Sequence, residues 1–419
     1  MRLLVLTHTF PPSRHCNAKR PYYLVKGFLD AGWHVDVFTS PCLLHPGETE
    51  FPGPPTLRVR RLEGLVLRLL RDSGRPSRLQ QAMSVAAYGL LWPDPFAPWA
   101  VRTLRACRFG AGYDRVLVFV LPASLLLCGL RSRVVGANWT FDYQESVTPH
   151  YRQVGRRSPL QQLLLPGLAK LERRTLHQAG RVVFTAETNR QTYCRQGLVP
   201  ESITAHVPYF FDAAVFGGPA PALEPGFQIL YCGSFDILGA RTPVTFLRSL
   251  ARFLRQHPEA RSSTRFLFHG YWCEKHTPVI GELGLQDVVS LQPAVGYEQY
   301  VQKLKQSPVL LLVVASAHNL YMPSKIVDYF GARRPILAFV PRDSEMWRVL
   351  QQAGMDEFAS DEFNVAGGAV ALESLWARYR TGALTCPAEK TQFWSSAVQV
   401  PRYVEAAALL PGPAPKGQL

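Results

Sequence analysis

Ser324, Lys325 and Asp328 are spaced so that they could bind a phosphate and a sugar side by side. Ser324 and Lys325 follow Pro323 in the segment Tyr321–Val340, YMPSKIVDYFGARRPILAFV, where they open a predicted amphipathic helix. A helix N-terminus carries unpaired N–H groups and a partial positive charge, so it attracts anions. A hydroxyl and an ammonium group there suit a diphosphate, and a carboxylate one turn further in can reach a sugar hydroxyl. These residues together predict a nucleotide-sugar ligand.

A plainer interpretation fits the same three residues equally well. Ser324 could cap the helix and Lys325 could lie on the surface, because short motifs often recur by chance.

The elements that must position this motif alternate between strands and helices. Leu3–Thr7, the helical pattern PYYLVKGFLDAG and the strand HVDVFTS form a predicted βαβ unit. A long helix after residue 158, interrupted near Pro166, is also predicted. Further strands are predicted at Leu57–Leu62, Arg115–Val120, Arg133–Trp139 and Arg181–Ala186.

The Gly-, Pro- and Ala-rich segment Phe216–Gly226 is a predicted linker, after which the α/β rhythm restarts with FQILYCGS. The predicted fold class is therefore α/β, with two Rossmann-like domains of parallel sheets at residues 1–215 and 216–392. A predicted helix at about 393–412 packs back on the first domain. Two facing domains of this kind place a ligand in the cleft at the carboxyl ends of the strands.

The net charge of +15 is concentrated in one half of the chain. Residues 1–215 contain 27 Lys and Arg against 14 Asp and Glu, whereas residues 216–419 contain 19 against 17. This asymmetry predicts an anionic partner for the first half: a membrane surface, an acidic lipid-linked substrate or nucleic acid. An arginine-favouring genome explains the same excess without a partner.

Membrane-spanning, secreted and metal-binding classes fit the sequence poorly. The longest apolar run, Val116–Leu130, is short and contains Pro122, and the N-terminus has no secretory-signal pattern. The eight cysteines form no C-x-x-C pair and no zinc spacing, which fits a reducing cytoplasm. We therefore expect no disulfide and no metal.

Six segments in order resemble the retaining glycosyltransferases of family four, which have the GT-B fold. They are the opening LLVLTHTFPPS through VDVFTS, ANWTFDYQES, HVPYFFDAAVF, ILYCGSFDILGARTPV, VVSLQPAVGYEQYVQKLKQ and MPSKIVDYFGARRPILA. The last segment is similar to the P-S-K-x-x-E-Y subgroup of polysaccharide-assembly enzymes. The resemblance extends along nearly the whole chain.

The resemblance implies roles for specific residues. Lys325 and Arg241 become the catalytic cations that hold the leaving diphosphate, Ser324 assists them, and Asp328 binds ribose hydroxyls. The other implied donor-binding residues are Gly233 and Ser234 at the phosphates, Tyr271, Pro293 and Val295 near the base, and Asn319, Leu320, Tyr321 and Met322 beside the sugar and diphosphate. Arg241, Asp328 and Tyr271 also have ordinary interpretations, as a surface, helical and packed residue.

The first domain supplies the acceptor-side candidates Asn17, Asp142, Glu145 and His150. His8 and His15 are further histidines near strand ends, where a structural or solvated role is the commoner one. The chain departs from the family where Asn17 lies in place of a glycine pair and where Leu320 occupies the first acidic position.

The predicted function is retaining transfer of a hexosyl or N-acetylhexosaminyl group from a UDP- or GDP-sugar. The predicted acceptor is a lipid-linked or oligosaccharide molecule in bacterial exopolysaccharide, O-antigen or glycolipid assembly. Two cations and a helix N-terminus make a metal unnecessary. Arginines interspersed with aromatic residues in the first half suit peripheral binding at the inner face of the cytoplasmic membrane.

Three alternatives stay open at this point. A nucleic-acid-binding protein fits the charge, but the sequence lacks a zinc knuckle, an RRM signature and a basic tail. A nucleotide-sugar epimerase fits the fold. A non-catalytic scaffold fits the incomplete acidic pair.

Overall fold

The computed structural model of the 419-residue chain describes residues 1–13, 16–41, 55–63, 91–131, 134–149, 159–218, 221–235, 241–316, 319–384, 386 and 388–408. The chain divides into two compact units, Met1–Pro208 with Gln399–Leu419, and Tyr209–Val398. Over these described ranges, no helix is both long enough and apolar enough to cross a bilayer.

The first unit is built on a parallel sheet whose strands are runs of apolar and β-branched residues. The described strands are β1 Arg2–Leu6, β2 His34–Thr39, β3 Leu57–Arg61, β4 Arg115–Phe119, β5 Trp139–Tyr143, β6 Arg181–Phe184 and β7 Thr204–His206. Their order is β3-β2-β1-β4-β5-β6-β7, and every pairing is parallel. Such a sheet is buried on both faces, so its central strands are almost wholly apolar.

Helices connect these strands and cover the sheet. They are α1 Lys19–Asp30, α2 Ala97–Ala106, α3 Pro159–Gln178 and α4 Glu187–Arg195, with 3-10 turns at Cys16–Ala18, Arg108–Gly110, Ala123–Leu130 and Glu201–Ile203. The apolar run from Val116 therefore supplies β4 and then a buried 3-10 segment.

Two predictions about this unit were wrong. Of the predicted strand Arg133–Trp139, the described residues 134–138 form no strand; β5 starts at Trp139, after a turn in which Trp139 N–H donates to Gly136 O. The predicted interruption at Pro166 is also absent, since α3 continues through the proline. Pro166 is exposed, so the helix accommodates the proline on its solvent-facing side.

The end of the chain completes the first unit. Helix α13, Ser396–Ala408, carries the fully buried Tyr403, and its last carbonyls accept hydrogen bonds from Arg115 and Arg181. Residues far apart in sequence therefore share one core.

The second unit repeats the architecture. Its parallel sheet has the order β10-β9-β8-β11-β12-β13. The strands are β8 Phe227–Ser234, β9 Thr264–Tyr271, β10 Val289–Gln292, β11 Val309–Val313, β12 Ile336–Phe339 and β13 Ala359–Ser360. The helices are α5 Ala213–Phe216, α6 Val244–Gln256, α7 Thr277–Glu282, α8 Tyr297–Gln306, α9 Lys325–Ala332, α10 Glu345–Ala353, α11 Val365–Arg380 and α12 Ala388–Thr391, with 3-10 turns at Pro258–Ala260, Glu274–His276 and Gln392–Trp394.

The strand order of the second sheet reverses between β8 and β11, which pair directly. In an open parallel sheet, a crevice forms outside the carboxyl ends of the strands at such a point. The segments that follow β8 and β11 are therefore the ones placed to bind a ligand.

Candidate functional site

Two glycines let the backbone turn at the carboxyl ends of β8 and β9. Gly233 and Gly270 lie opposite each other in the parallel register and have φ angles of +147° and +141°. A Cβ atom on Gly270 would lie 1.8 Å from the carbonyl oxygen of Gly233. Only glycine fits this conformation and spacing. The sequence singled out Gly233 but not Gly270, whose only signal is its position before the aromatic pair Tyr271-Trp272.

Lys325 reaches this turn from the first residue of α9. Its Nζ donates to the carbonyl of Cys232 at 3.2 Å and lies 4.0 Å from the ring centroid of Tyr231. A Cβ on Gly233 would lie 2.8 Å from the same Nζ, so the glycine leaves room for the ammonium. Ser324 occupies the N-cap position but makes no capping hydrogen bond with its side chain. The Lys325 ammonium and Gly233 therefore lie side by side at the carboxyl end of β8, and Ser324 directly precedes Lys325 in the chain.

Arg241 and Lys325 both influence the ionisation of Tyr231. Burial acts to raise the pKa of Tyr231, but the positive charges of Lys325 and Arg241 outweigh it and leave the pKa below its ordinary value of 10.0. The charges of the two predicted cations thus act on one tyrosine, although 84 positions of sequence separate them.

Asp328 lies one turn along α9 and is 7% exposed. Its carboxylate accepts a hydrogen bond from Tyr300 Oη at 3.1 Å. Burial and the neighbouring charge of Asp328 hold the pKa of Tyr300 well above its ordinary value, so the phenol stays protonated and donates. Tyr300 on α8 is a site residue that the sequence did not indicate, because only the fold brings the two helices together.

The segment before α9 is held by its backbone. Asn319 N–H donates to Ser316 O at 3.3 Å, and Asn319 O accepts from Glu345 N–H at 3.0 Å. Leu320 and Tyr321 are half-buried, whereas the Met322 side chain is 1% exposed and belongs to the interior. Met322 can therefore offer a ligand only its backbone groups.

The residues predicted near the base lie at the ends of β9 and β10. Tyr271 is 54% exposed, Pro293 is exposed and Val295 is half-buried. His269 Nδ1 lies 3.3 Å from Pro293 O and connects the two segments. Burial lowers the pKa of His269 below its ordinary value of 6.5, so the ring is neutral at neutral pH and its Nδ1–H can donate to the carbonyl.

The carboxylate of Asp142 forms a buried ion pair with Arg20. It accepts hydrogen bonds from the Arg20 guanidinium at 2.9–3.1 Å, and the two side chains are 0% and 2% exposed. Arg20 also donates to the carbonyls of Val207 and Pro208. The carboxylate of Asp142 thus has a structural task within the first unit.

Two further acceptor-side candidates lie in the part of the first unit that the structure describes. Asn17 lies in the 3-10 turn before α1 and Glu145 follows β5; both are half-buried. His8 packs against Phe96 and Trp99 at ring-centroid distances of 4.5 and 5.1 Å. His15 and His150 lie outside the described residues.

No cluster of three His, Cys, Asp or Glu side chains suited to a metal ion occurs among the residues that the structure describes. Cys107, Cys128, Cys194, Cys232, Cys273 and Cys386 are free thiols.

No protein-family model matches the sequence, and no curated protein sequence matches it either. Solved structures do match. Sucrose-phosphate synthase from Thermosynechococcus elongatus is 16% identical with a TM-score of 0.65, over 96% of this chain and 97% of that one. WaaG, a glycosyltransferase involved in lipopolysaccharide biosynthesis, is 12% identical with a TM-score of 0.61, over 98% of this chain and all of that one.

A third similar structure is an E. coli trehalose-6-phosphate protein bound with UDP-2-fluoro glucose. It is 12% identical with a TM-score of 0.62, over 98% of this chain and 100% of the other. These likenesses confirm the predicted fold class: the chain has two Rossmann-like domains with parallel sheets, in the GT-B fold.

Proposed function

We propose that this chain is a glycosyltransferase that uses a nucleotide-sugar donor bound by its second unit. The observation that carries the proposal is the position of the Lys325 ammonium at the turn at Gly233, at the reversal point of the sheet. The charge of Arg241 acts with that of Lys325 on the adjacent Tyr231. Two cations beside a glycine turn and a helix N-terminus form a site for a diphosphate.

The chemistry follows from where charge develops. When the bond between the sugar and the diphosphate breaks, negative charge accumulates on the diphosphate, and Lys325 and Arg241 stabilise it there. Ser324 and the first N–H groups of α9 add hydrogen bonds. Asp328, held by Tyr300, accepts hydrogen bonds from the ribose and so fixes the nucleotide relative to the sugar.

The proposed identities of the base and the sugar rest on residue positions, on one similar structure and on the family resemblance. Tyr271, Pro293 and Val295 lie where a base would meet the ends of β9 and β10, and Asn319–Met322 would line the sugar and diphosphate. A similar structure holds a UDP-sugar, which favours uridine over guanosine for the donor of this chain. Retention of configuration and a hexosyl or N-acetylhexosaminyl group rest on the family resemblance.

We propose that the acceptor binds the first half of the chain, which is the basic half. Its 27 basic against 14 acidic residues suit an anionic lipid-linked or oligosaccharide acceptor reached at a membrane surface. We propose, from the family resemblance and this charge, that the reaction belongs to the assembly of a bacterial polysaccharide or glycolipid, with the protein peripheral on the inner face of the cytoplasmic membrane. Asn17 and Glu145 remain the proposed acceptor-side residues, together with His150.

A thermal-shift assay tests the donor proposal. The purified protein and a Lys325→Ala variant are incubated without metal with UDP, GDP and a panel of nucleotide sugars. A ligand at 100 times its Kd stabilises the native state by about 2.7 kcal/mol. We expect one nucleotide family to stabilise the wild type and not the variant.

Lys26→Ala is the matched control, because Lys26 is exposed on α1 in the first unit. This variant should respond as the wild type does. If no nucleotide shifts the wild type, the donor proposal is wrong.

A further inference from the structure

Tyr231 lies beneath the Lys325 ammonium, and its ring is fixed by its neighbours. It lies in β8 and is fully buried. Its ring is nearly parallel to those of Phe235 and Phe268, at centroid distances of 4.4 and 5.8 Å and interplanar angles of 13° and 11°. Its hydroxyl donates to Ser234 O at 3.2 Å. The ring therefore presents one face and one oxygen to Lys325 in a constant orientation.

The electrostatic surroundings of Tyr231 are unlike those of other buried tyrosines. Burial raises the pKa of Tyr143, Tyr193, Tyr300, Tyr329 and Tyr403 well above the ordinary value. The pKa of Tyr231 is lowered despite its burial, because the charges of Lys325 and Arg241 both act on it. A phenylalanine would fill the same aromatic stack, so packing does not explain the hydroxyl.

We propose that Tyr231 is a positioning residue for the diphosphate site, whose ring face holds the Lys325 ammonium at the end of β8 before the nucleotide binds. This inference rests on the proposed function. The ammonium lies 4.0 Å from the ring centroid, within the range of cation–π attraction. The phenol donates its proton to Ser234 O, which helps to fix the ring beneath the ammonium.

The consequence is preorganisation. Lysine and arginine side chains lose considerable rotamer freedom when they are ordered, and this loss weakens binding when the ligand must cause it. With Tyr231 in place, much of that loss occurs on folding. The diphosphate then meets an ammonium group that is already ordered.

Three variants separate this role from plain packing. Tyr231→Leu removes the ring and the hydroxyl, and Tyr231→Phe removes only the hydroxyl. Phe268→Leu is the matched control, because it removes a ring from the same aromatic stack but not the one beneath Lys325. The dissociation constant of UDP, or of GDP if GDP stabilises the wild type, is measured by calorimetry for each variant.

We expect Tyr231→Leu to weaken UDP binding about three- to thirtyfold, the range of a cation–π contact. Tyr231→Phe should retain most of the affinity, because it keeps the ring face. Phe268→Leu should lower the melting temperature about as much as Tyr231→Leu but leave the dissociation constant within about twofold, the reproducibility of such a comparison. Equal dissociation constants for Tyr231→Leu and Phe268→Leu would overturn the inference while the proposed function stands.

A second measurement needs no nucleotide. The tyrosine side chains are labelled with 13C at Cζ, the Tyr231 signal is assigned from its loss in Tyr231→Phe, and it is titrated in the wild type and in Lys325→Met. We expect the Tyr231 signal to titrate at a lower pH in the wild type than in Lys325→Met. Identical titrations would refute the pairing, whether or not UDP binds. Failure of the wild type to bind any nucleotide, with the titration difference present, would instead refute the proposed function.

Discussion

Lys325 is held by two groups of β8, the carbonyl of Cys232 and the ring of Tyr231. Its neighbour in the helix, Asp328, is held by Tyr300 of α8. A cation and a carboxylate one turn apart on one helix thus each have a partner on a different element. Such partners fix the orientation of flexible side chains, which is what a site for a diphosphate and a ribose requires.

Tyr300→Phe tests the orientation of Asp328. The substitution removes one hydrogen bond to the carboxylate, a loss of about 1.5–3 kcal/mol for a bond to a charged group. We expect the KM for the nucleotide sugar to rise about tenfold with a smaller change in kcat, since ribose binding is common to the ground and transition states. Gln302→Ala, at an exposed position on the same helix, is the control. An unchanged KM for Tyr300→Phe would contradict this role.

The histidine between β9 and β10 predicts a dependence of stability on pH. Burial lowers the folded-state pKa of His269 below 6.5, so the unfolded state binds more protons as the pH falls. The stability that the neutral ring contributes is complete above pH 6.5 and decreases as the pH falls from there towards the folded-state pKa. His269→Asn keeps an N–H donor near the position of Nδ1 but cannot titrate.

We therefore expect the free energy of unfolding to fall more steeply between pH 7 and pH 5 in the wild type than in His269→Asn. Urea titrations at several pH values measure it. Parallel curves for the two proteins would show that His269 does not contribute.

At the residue scale, the sequence predicted what is local and missed what is brought together by folding. Ser324, Lys325 and Asp328 lie at the start of one helix, so their spacing in the sequence was enough to predict them as a group. Tyr231, Tyr300 and Gly270 come from other elements, and no spacing links them to the motif. Asp142 was predicted as an acceptor-side residue from its position at a strand end. Nothing in the sequence indicated its ion pair with Arg20, which lies 122 positions away.

At the scale of elements, helix α9 carries the site and is packed closely on its other side. A Cβ on Gly331 would lie 2.6 Å from Phe216 and 3.0 Å from Phe211. The glycine therefore sets how near α9 comes to these two rings. Arg333, directly after the last helical residue, caps α9 with φ at +55°, a conformation that glycine adopts more easily.

Gly331→Ala tests this close approach. The clash should destabilise the protein by about 1–2 kcal/mol, because overpacking outweighs the gain in helix propensity. Gly281→Ala in α7 is the control, since its Cβ would have only one neighbour within range, Gln286 at 3.7 Å. Denaturant unfolding measures both. A Gly331→Ala variant as stable as the wild type would contradict the packing argument.

The elements themselves were largely predictable. Long periodic segments such as Val244–Gln256 and Phe227–Ser234 were found with nearly their true ends. The errors arose where local signals competed with tertiary burial. The apolar residues of Arg133–Trp139 suggested a strand, but a turn at Gly136 comes first and the strand begins at Trp139. Helix α3 continues through Pro166, which is exposed.

At the scale of the whole molecule, the chain leaves the first unit at Pro208 and returns to it at Gln399. Tyr403 anchors the returning segment: it is fully buried, and the Arg20 guanidinium lies 5.3 Å from its ring centroid. The first 208 residues therefore depend on the last helix. The repeated α/β pattern predicted two domains, while the division after Pro208 follows from contacts that only the folded chain makes.

Tyr403→Leu tests that dependence. Loss of the buried ring should destabilise the first unit by about 2–3 kcal/mol. In hydrogen exchange, we expect amides of β1, β4 and β6 to lose protection while those of β8 and β11 keep theirs. Tyr329→Leu, at a fully buried tyrosine of the second unit, should give the opposite pattern. Equal loss in both sheets for Tyr403→Leu would contradict the assignment of α13 to the first unit.

The most direct test of the central claim compares a nucleoside diphosphate with its nucleoside in the wild type and in Lys325→Ala. Calorimetry without metal gives the four dissociation constants, using UDP and uridine, or GDP and guanosine if that base is preferred. We predict that the variant binds the diphosphate about ten- to a hundredfold more weakly and the nucleoside unchanged, as expected for loss of a hydrogen bond to a charged group. Equal weakening of both ligands, or a wild type that does not prefer the diphosphate, would contradict a diphosphate site at Lys325.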